Sequence, residues 1–438
     1  MAPSALRRRV LLSGTMLAAA VGYGRRAYGA CAPAVAPNYQ CSGANVTTQF
    51  INANNASVST VAGFSVNTPV TSPSITITGN GALSYTDTNA SPLTTGAGTA
   101  LDVRSLGDFA ATPGSVTIAS NGALIGSFFG IYTRNSGTGA LTITANGDVT
   151  GATFNGIDAR NTVNGTAISV TTGVGSTVGG TTGIFTRNYG TGALTITANG
   201  DVTGTTGLGI LAQNLNANGT AVSVTTATGS TVSGSTFGIY SRNNGTGALT
   251  IITVNGTVTA NKGIHIDTGV ATVTVAGTVT GGGGTAIDFA NAVANRLELV
   301  TGAVINGNVL GGTGTDTLGL SGTGSGSFNV VQLSSFEAGQ KTGSGAWTLT
   351  GTNAGIGTFA VSGGTLAVNG SLASTAMTVN AGGTLGGIGT VGNTQVNAGG
   401  TFAPGSGTPG SSMTVSGTLG FNAASTFAVN VNPTTASF

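Results

Sequence analysis

GTGALTITANGDVTG, residues 137–151, returns letter for letter at 190–204, and a drifted copy, GTGALTIITVNGTVT, begins at Gly245. The three copies are almost evenly spaced along the chain. Between them lies a weaker version of the same pattern. It reads VNGTAISVTTGVGSTVGGTTGIFTRN from Val163 and NANGTAVSVTTATGSTVSGSTFGIYSRN from Asn216. Aligning the two versions halves the period. Apolar-polar-apolar triplets then begin at Val116, Leu141, Ile168, Leu194, Val222, Leu249 and Val273, with near-constant intervals. A second marker keeps the same beat: GIYTRN at Gly130, GIDARN at Gly156, GIFTRN at Gly183, GILAQN at Gly209 and GIYSRN at Gly238. A period of this length, built from strand-type residues and Gly turns, predicts a solenoid.

Each module has three alternating pieces, such as LTITA, DVTG and GIDARN. Alternation sends one set of side chains inward and the other outward. Thr, Val, Ile and Ala suit a pleated surface, while Gly, Asn and Asp permit tight bends between the pieces. No piece has a helical period. The predicted fold is therefore all-β, a parallel β-helix of about 26 residues per coil, with coils about 4.8 Å apart. Ile131, Ile157, Ile184, Ile210, Ile239, Ile264 and Ile287 are expected to stack inside. Asn135, Asn161, Asn188, Asn214 and Asn243 close the same strands as a turn-stabilising ladder.

Composition agrees with such a fold. Gly accounts for 77 of 438 residues, and charged and aromatic residues for 5% each. Five of the 13 basic residues (Arg7, Arg8, Arg9, Arg25, Arg26) fall in the first 30 positions, which leaves 8 basic against 11 acidic groups in the remainder. That remainder has no Lys/Arg cluster and excludes nucleic acid as an expected partner. Residues 1–30 read as a signal peptide: Arg7–Arg9, an apolar stretch from Val10 to Val21, and small residues ending near Ala30. Arg8-Arg9 leaves the general and the twin-arginine routes both open. Cys31 and Cys41, the only cysteines, read as one disulfide of an exported chain.

The expected divisions are an N-terminal cap with irregular first coils at 31–111, regular coils at 112–300 and a C-terminal part at 301–438. Pro69, Pro73 and Pro92 are expected to interrupt pairing in the first of these. After Thr301 the repeats shorten: VSGGTL at Val361, VNAGGTL at Val379 and VNAGGTF at Val396 follow one another more closely than the central markers do. Narrower coils are expected there. GGTGTDTLGL at Gly311 matches one calcium-binding nonapeptide around Asp316. Such sites need tandem copies, so no metal is expected.

The C-terminal residues carry a family resemblance. GSGAWTLTG, VSGGTLAVNGSL, VNAGGTLGGIGTV, VNAGGTFAPGSG and STFAVNVNP resemble the autotransporter-associated β-strand repeats of bacterial autotransporter passengers, the type V secretion family. The match covers the part of the chain from GSGAWTLTG and its approach to the C-terminus; the central repeats are similar in architecture alone. The resemblance implies an exported right-handed β-helix at the surface of a Gram-negative bacterium, or secreted, often acting as an adhesin. It also implies a C-terminal outer-membrane barrel, for which the residues after Pro433 leave no room; the expectation is a fragment, a truncated product or a separately encoded barrel.

Functional residues are sparse. Arg134, Arg160, Arg187 and Arg242, with Gln213 in register, point outward by alternation. Tyr132, Asp158, Phe185, Leu211, Tyr240 and His265 share that outer face two residues earlier. Arg beside aromatics holds acidic or sugar ligands by forked hydrogen bonds and stacking; a solvated solenoid edge has the same composition. Arg134, Arg160, Arg187, Arg242, Tyr132 and Tyr240 are the candidate binding face, with glycans or surface proteins as partners. His265, the one histidine, and Asp267 point to one face of one coil without a GxSxG elbow, so no catalytic residue is expected. No cofactor is expected. The chain reads as a structural or adhesive surface solenoid, not an enzyme; the alternative is a β-helix polysaccharide lyase or hydrolase, for which Asp158 and Arg160 are the neighbouring charged groups.

Overall fold

The computed structural model describes residues 30–69, 72–246, 249–291 and 293–431. Arg7–Arg9, Arg25, Arg26 and Phe438 lie outside the described residues, and so does the signal-peptide reading apart from Ala30. Strands make up 56% of the chain and helix 1%. The strands stack in parallel as a β-solenoid of about 15 turns with about 25 residues per turn.

Three walls surround an apolar interior in the central coils. On the first wall Val116, Leu141, Ile168, Leu194 and Val222 lie in register from coil to coil. The second carries Leu124, Val149, Val178, Val202, Val232 and Val258. The third carries Leu101 and then Ile131, Ile157, Ile184, Ile210, Ile239, Ile264 and Ile287. All of these side chains are buried. Each buried branched side chain contributes about 1.5–3 kcal/mol relative to exposure.

The glycine that opens each marker has a packing role. A Cβ on Gly156 would lie 2.8 Å from Val178 Cγ1, and one on Gly183 would lie 2.5 Å from Val202 Cγ1. The corner between the second and third walls closes only where no Cβ competes with the valine of the next coil.

Three features depart from the sequence reading. Pro69, Pro73 and Pro92 do not interrupt pairing. They stand between the strands Ser65–Thr68, Ile75–Gly79 and Leu93–Thr95, where no ladder N–H is required. Parallel pairing runs on past them, with Gln49 opposite Ile75 and Val66 opposite Leu93. The second departure is only the pairing direction at the start of the chain, where a cap and a Cys31–Cys41 disulfide are expected from the sequence. Cys31–Val35 pairs antiparallel with Asn38–Cys41, which places Cys31 directly opposite Cys41, and the two are disulfide-linked. The antiparallel strand covers an edge that would otherwise present unpaired backbone groups.

The third departure is a register slip. Val222 pairs with Thr250, not Leu249, and Thr250 pairs with Ala271, two residues before Val273. The second isoleucine of LTIITV is the extra residue. A shift of one residue reverses every side chain on a strand, so Thr250, Ile252 and Val254 are buried while Leu249 and Ile251 are each 37% exposed.

Beyond this point the coils narrow. Leu318 pairs with Gly339, Phe359 with Met377 and Met377 with Thr394, each step along the chain shorter than the one before. Large side chains fill the smaller cross-section, among them Phe336, Trp347 and Phe359. Trp347 Nε1 donates to the carbonyl of Ser321 at 2.9 Å. Lys341 is fully buried, and its ammonium donates to the carbonyls of Thr342, Gly343 and Gly363 at 2.7–3.0 Å. Burial pushes its pKa down, and three acceptors match its three donors.

Near the N-terminal end a buried carboxylate ties three coils together. Asp87 accepts from the Thr60 hydroxyl at 2.7 Å and from the backbone N–H groups of Asn89, Ser91 and Gly122 at 2.9–3.1 Å. Burial alone would raise its pKa, but these hydrogen bonds hold it below the ordinary value of 3.8. A depressed carboxylate contributes stability above its unfolded pKa and loses it as pH falls through the folded one. Asp87→Asn should therefore cost about 1.5–3 kcal/mol at neutral pH. The parent–variant difference, followed by thermal unfolding, should shrink once pH falls below about 4. A pH-independent difference would contradict the bridging role of the charge.

Candidate functional site: the third wall

The outward positions of the third wall form a ladder set by parallel pairing. Arg104, Arg134, Arg160, Arg187, Gln213 and Arg242 occupy one register line. Two residues earlier the line reads Asp102, Tyr132, Asp158, Phe185, Leu211 and Tyr240. Arg104 extends the column by one coil. GTALDVRS at Gly98 resembles the markers, but the sequence reading assigns it to the irregular first coils and so leaves Arg104 out of the column.

Neighbouring arginines at strand spacing would repel by roughly 1 kcal/mol per pair in a water-like medium, and the site contains the means to offset this. Arg160 forms a forked pair with Asp158, Nε to Oδ1 at 2.6 Å and Nη2 to Oδ2 at 2.8 Å. Arg104 does the same with Asp102 at 2.8 and 2.6 Å. The Asp102 hydrogen bond raises the pKa of Arg104, and the Asp158 hydrogen bond raises that of Arg160. Asp102 itself is pushed up by burial, which outweighs the opposing pull of Arg104. Aromatic rings take part as well. The Arg104 guanidinium lies 4.8 Å from the Tyr132 ring centre, and Phe185 sits between Arg160 at 4.9 Å and Arg187 at 4.6 Å. Arg187 Nε also donates to Gln213 Oε1 at 2.9 Å. Arg134 is exposed and has no carboxylate partner among the described residues.

Alternation places Asp158 and Leu211 outside, yet both are buried, at 0% and 5% exposure. For Asp158 the cover is identifiable: Asn155 Nδ2 donates to Oδ2 at 2.8 Å and Arg160 closes the other side. Asp158 is thus the anchor of Arg160 and is not available to a substrate. Two clefts open on this wall. One of about 390 Å³ is lined by Arg134, Arg160, Asn161, Thr162, Val163 and Tyr189. Another of about 490 Å³ lies against Asp102, Arg104, Phe128, Phe129 and Tyr132.

Further along the same wall the pairing of His265 with Asp267 is not found. His265 Nδ1 lies 3.0 Å from Asp288 Oδ2, one coil on, and Lys262 Nζ donates to the same oxygen at 2.9 Å. The His265 hydrogen bond, with that of Lys262, holds the Asp288 carboxyl below its ordinary pKa. Asp267 instead faces Arg242 at 3.5 Å. Phe237 and Tyr240 pack against the imidazole at 5.0 and 5.2 Å between ring centres. Sequence spacing holds no hint of this cluster, because Asp288 meets His265 only through coil-to-coil register.

The Asn residues of the marker are buried and bond mostly to turn backbone. Asn135 Nδ2 donates to Gly139 at 2.7 Å and Asn188 Nδ2 to Gly192 at 2.9 Å. One direct Asn–Asn contact occurs, from Asn161 Nδ2 to Asn188 Oδ1 at 3.2 Å. Asp316 is wholly buried; its Oδ1 accepts the Asn295 N–H at 2.7 Å, and its own N–H donates to Glu337. No group of three or more His, Cys, Asp or Glu suited to a metal ion occurs among the described residues.

No protein-family model matches the chain, and no curated protein or solved structure matches it either. The fold therefore defines the class by itself: a parallel β-solenoid.

Tyr240 provides a direct check on this geometry. Burial, and then the Asp267 carboxylate, push its phenol up to about 12. The absorbance difference between the parent and Tyr240→Phe should show one phenolate forming near pH 12 rather than near the ordinary 10.0. Titration at the ordinary value would mean that the ring is neither buried nor faced by Asp267.

Proposed function

We propose that the chain is an exported, autotransporter-like passenger that works as a surface solenoid and binds anionic glycans along its third wall without catalysing a reaction. The observation that carries this reading is the registered Arg ladder. Its guanidinium groups other than that of the exposed Arg134 are held by carboxylates, amides and aromatic faces, and planar forked donors suit carboxylate and sulfate groups. The resemblance of the C-terminal repeats to autotransporter passengers supports export and display at a Gram-negative surface, and the solenoid fold is compatible with both. No cofactor enters the reading.

The test is binding of the purified chain to an immobilised acidic polysaccharide. Replacing Arg134, Arg160 and Arg187 by Gln should lower affinity at least about tenfold and leave the far-ultraviolet spectrum unchanged. Because Arg160→Gln leaves Asp158 buried without its partner, the pair Arg134→Gln/Arg187→Gln is the control for folding. Parent binding should fall steeply with salt, since exposed charges are screened over about 8–10 Å. Retention of full affinity by both variants refutes the reading.

The catalytic alternative has one specific observation in its favour. Asp288 orients His265 beside Tyr240 and Lys262, an arrangement that can present an imidazole as a base. Under our reading, incubation with acidic polysaccharides releases no reducing ends. Release that disappears in His265→Ala would favour the enzyme.

A further inference from the structure

Two kinds of coil alternate along the third wall. In one kind the outward pair is Asp102/Arg104, Asp158/Arg160 or Leu211/Gln213; in the other it is Tyr132/Arg134, Phe185/Arg187 or Tyr240/Arg242. The first kind is electrically neutral on every occurrence, since the acid and the arginine are present together or lost together. The second kind always joins one cation to one aromatic ring. The turn chemistry follows the same alternation. Asn135, Asn188 and Asn243 accept from the N–H groups of Gly137, Gly190 and Gly245 at 3.1–3.2 Å. In the intervening coils Asn161 Oδ1 and Asn214 Oδ1 are buried and accept no hydrogen bond from the described residues.

The wall therefore shows an unneutralised cation at every second coil, at Arg134 and Arg187. Arg242 stands in the same register line but is paired with Asp267 of the next coil at 3.5 Å, which ends the series of free cations. Two strand spacings put these cations about 10 Å apart along the solenoid axis. That repeat is about two sugar rings of an extended chain. Resting on the proposed glycan binding, we propose that the third wall reads a linear polysaccharide carrying one anionic group on every second sugar. The chain lies parallel to the solenoid axis. Its anions meet Arg134 and Arg187, and its uncharged sugars cross the neutral coils. The cleft beside Arg134 gives the first anionic unit a seat. A polymer charged on every sugar would place the intervening anions over Asp102 and Asp158, whose arginines are already engaged, or over the uncharged Leu211/Gln213 pair.

The test compares the full chain on three polymers of matched length: alternating uronate and N-acetylhexosamine, uronate alone, and N-acetylhexosamine alone. The alternating polymer should bind at least about tenfold more tightly than the uronate homopolymer, and the neutral polymer should not bind. Asp158→Asn frees Arg160 and should narrow that preference. Should that variant fail to fold, Arg187→Gln decides, since it should weaken the alternating polymer more than the homopolymer. Equal affinity for the two acidic polymers, or an unchanged preference in Arg187→Gln, overturns the alternation and leaves anionic binding standing. Absence of binding to both, or equal binding of the neutral polymer, overturns the two readings together.

Discussion

Coil-on-coil parallel pairing is the constraint on which the rest of the molecule depends. Each ladder bond fixes a residue within one strand spacing of its counterpart in the next coil, whatever the two residues are. Inside, this favours like on like: Ile131, Ile157 and Ile184 stack as equals, and the second-wall valines settle into gaps that only glycine leaves, at Gly130, Gly156 and Gly183. One coil could not bury its own inner face, so stability is a property of neighbours. Outside, the same pairing stacks charge on charge. The forked Asp–Arg pairs, the guanidinium–aromatic contacts and the Gln213 interruption are the arrangements that make an arginine column tolerable in a solenoid.

Much of this was legible from the sequence, because a period-two alternation nested inside a longer, steady repeat has few other structural solutions. The inward Ile column and the shortening of the C-terminal coils follow from spacing alone. What spacing could not resolve were events that depend on a single residue or on which coil faces which. The extra isoleucine in LTIITV moved Thr250 inward and Leu249 outward. Nothing local signals that choice, since both registers keep apolar residues on one side. Asp288 came to His265, and Asp267 to Arg242, through pairings between successive coils. The burial of Asp158 was illegible for a related reason: alternation gives the direction of a side chain but not what the corner before it, here Asn155, folds over it.

The C-terminal half shows how the cross-section limits what a wall can carry. From Leu318 to Thr394 successive coils lose residues, and the interior takes larger rings at Phe336, Trp347 and Phe359 to stay filled. Charged residues after position 300 are Asp316, Glu337 and Lys341. Asp316 and Glu337 bond to backbone N–H groups, and Lys341 to three carbonyls. Their charge holds neighbouring turns together. The outward ladder of charge is confined to the wide coils.

That confinement bears on how such a wall can bind. A single exposed ion pair contributes about 0–1 kcal/mol, so one arginine gives little affinity. A row of them on a stiff scaffold differs in two respects. The face of Phe185 and the Gln213 amide already hold the Arg187 guanidinium in place, so little of its conformational freedom is lost on contact. Once a polymer engages one cation, the next anion along it is delivered at high effective concentration, provided its spacing matches the coils. A ligand out of step gains the first contact and forfeits the others. Selectivity then comes from the period of the solenoid, which is the same backbone constraint that builds the core.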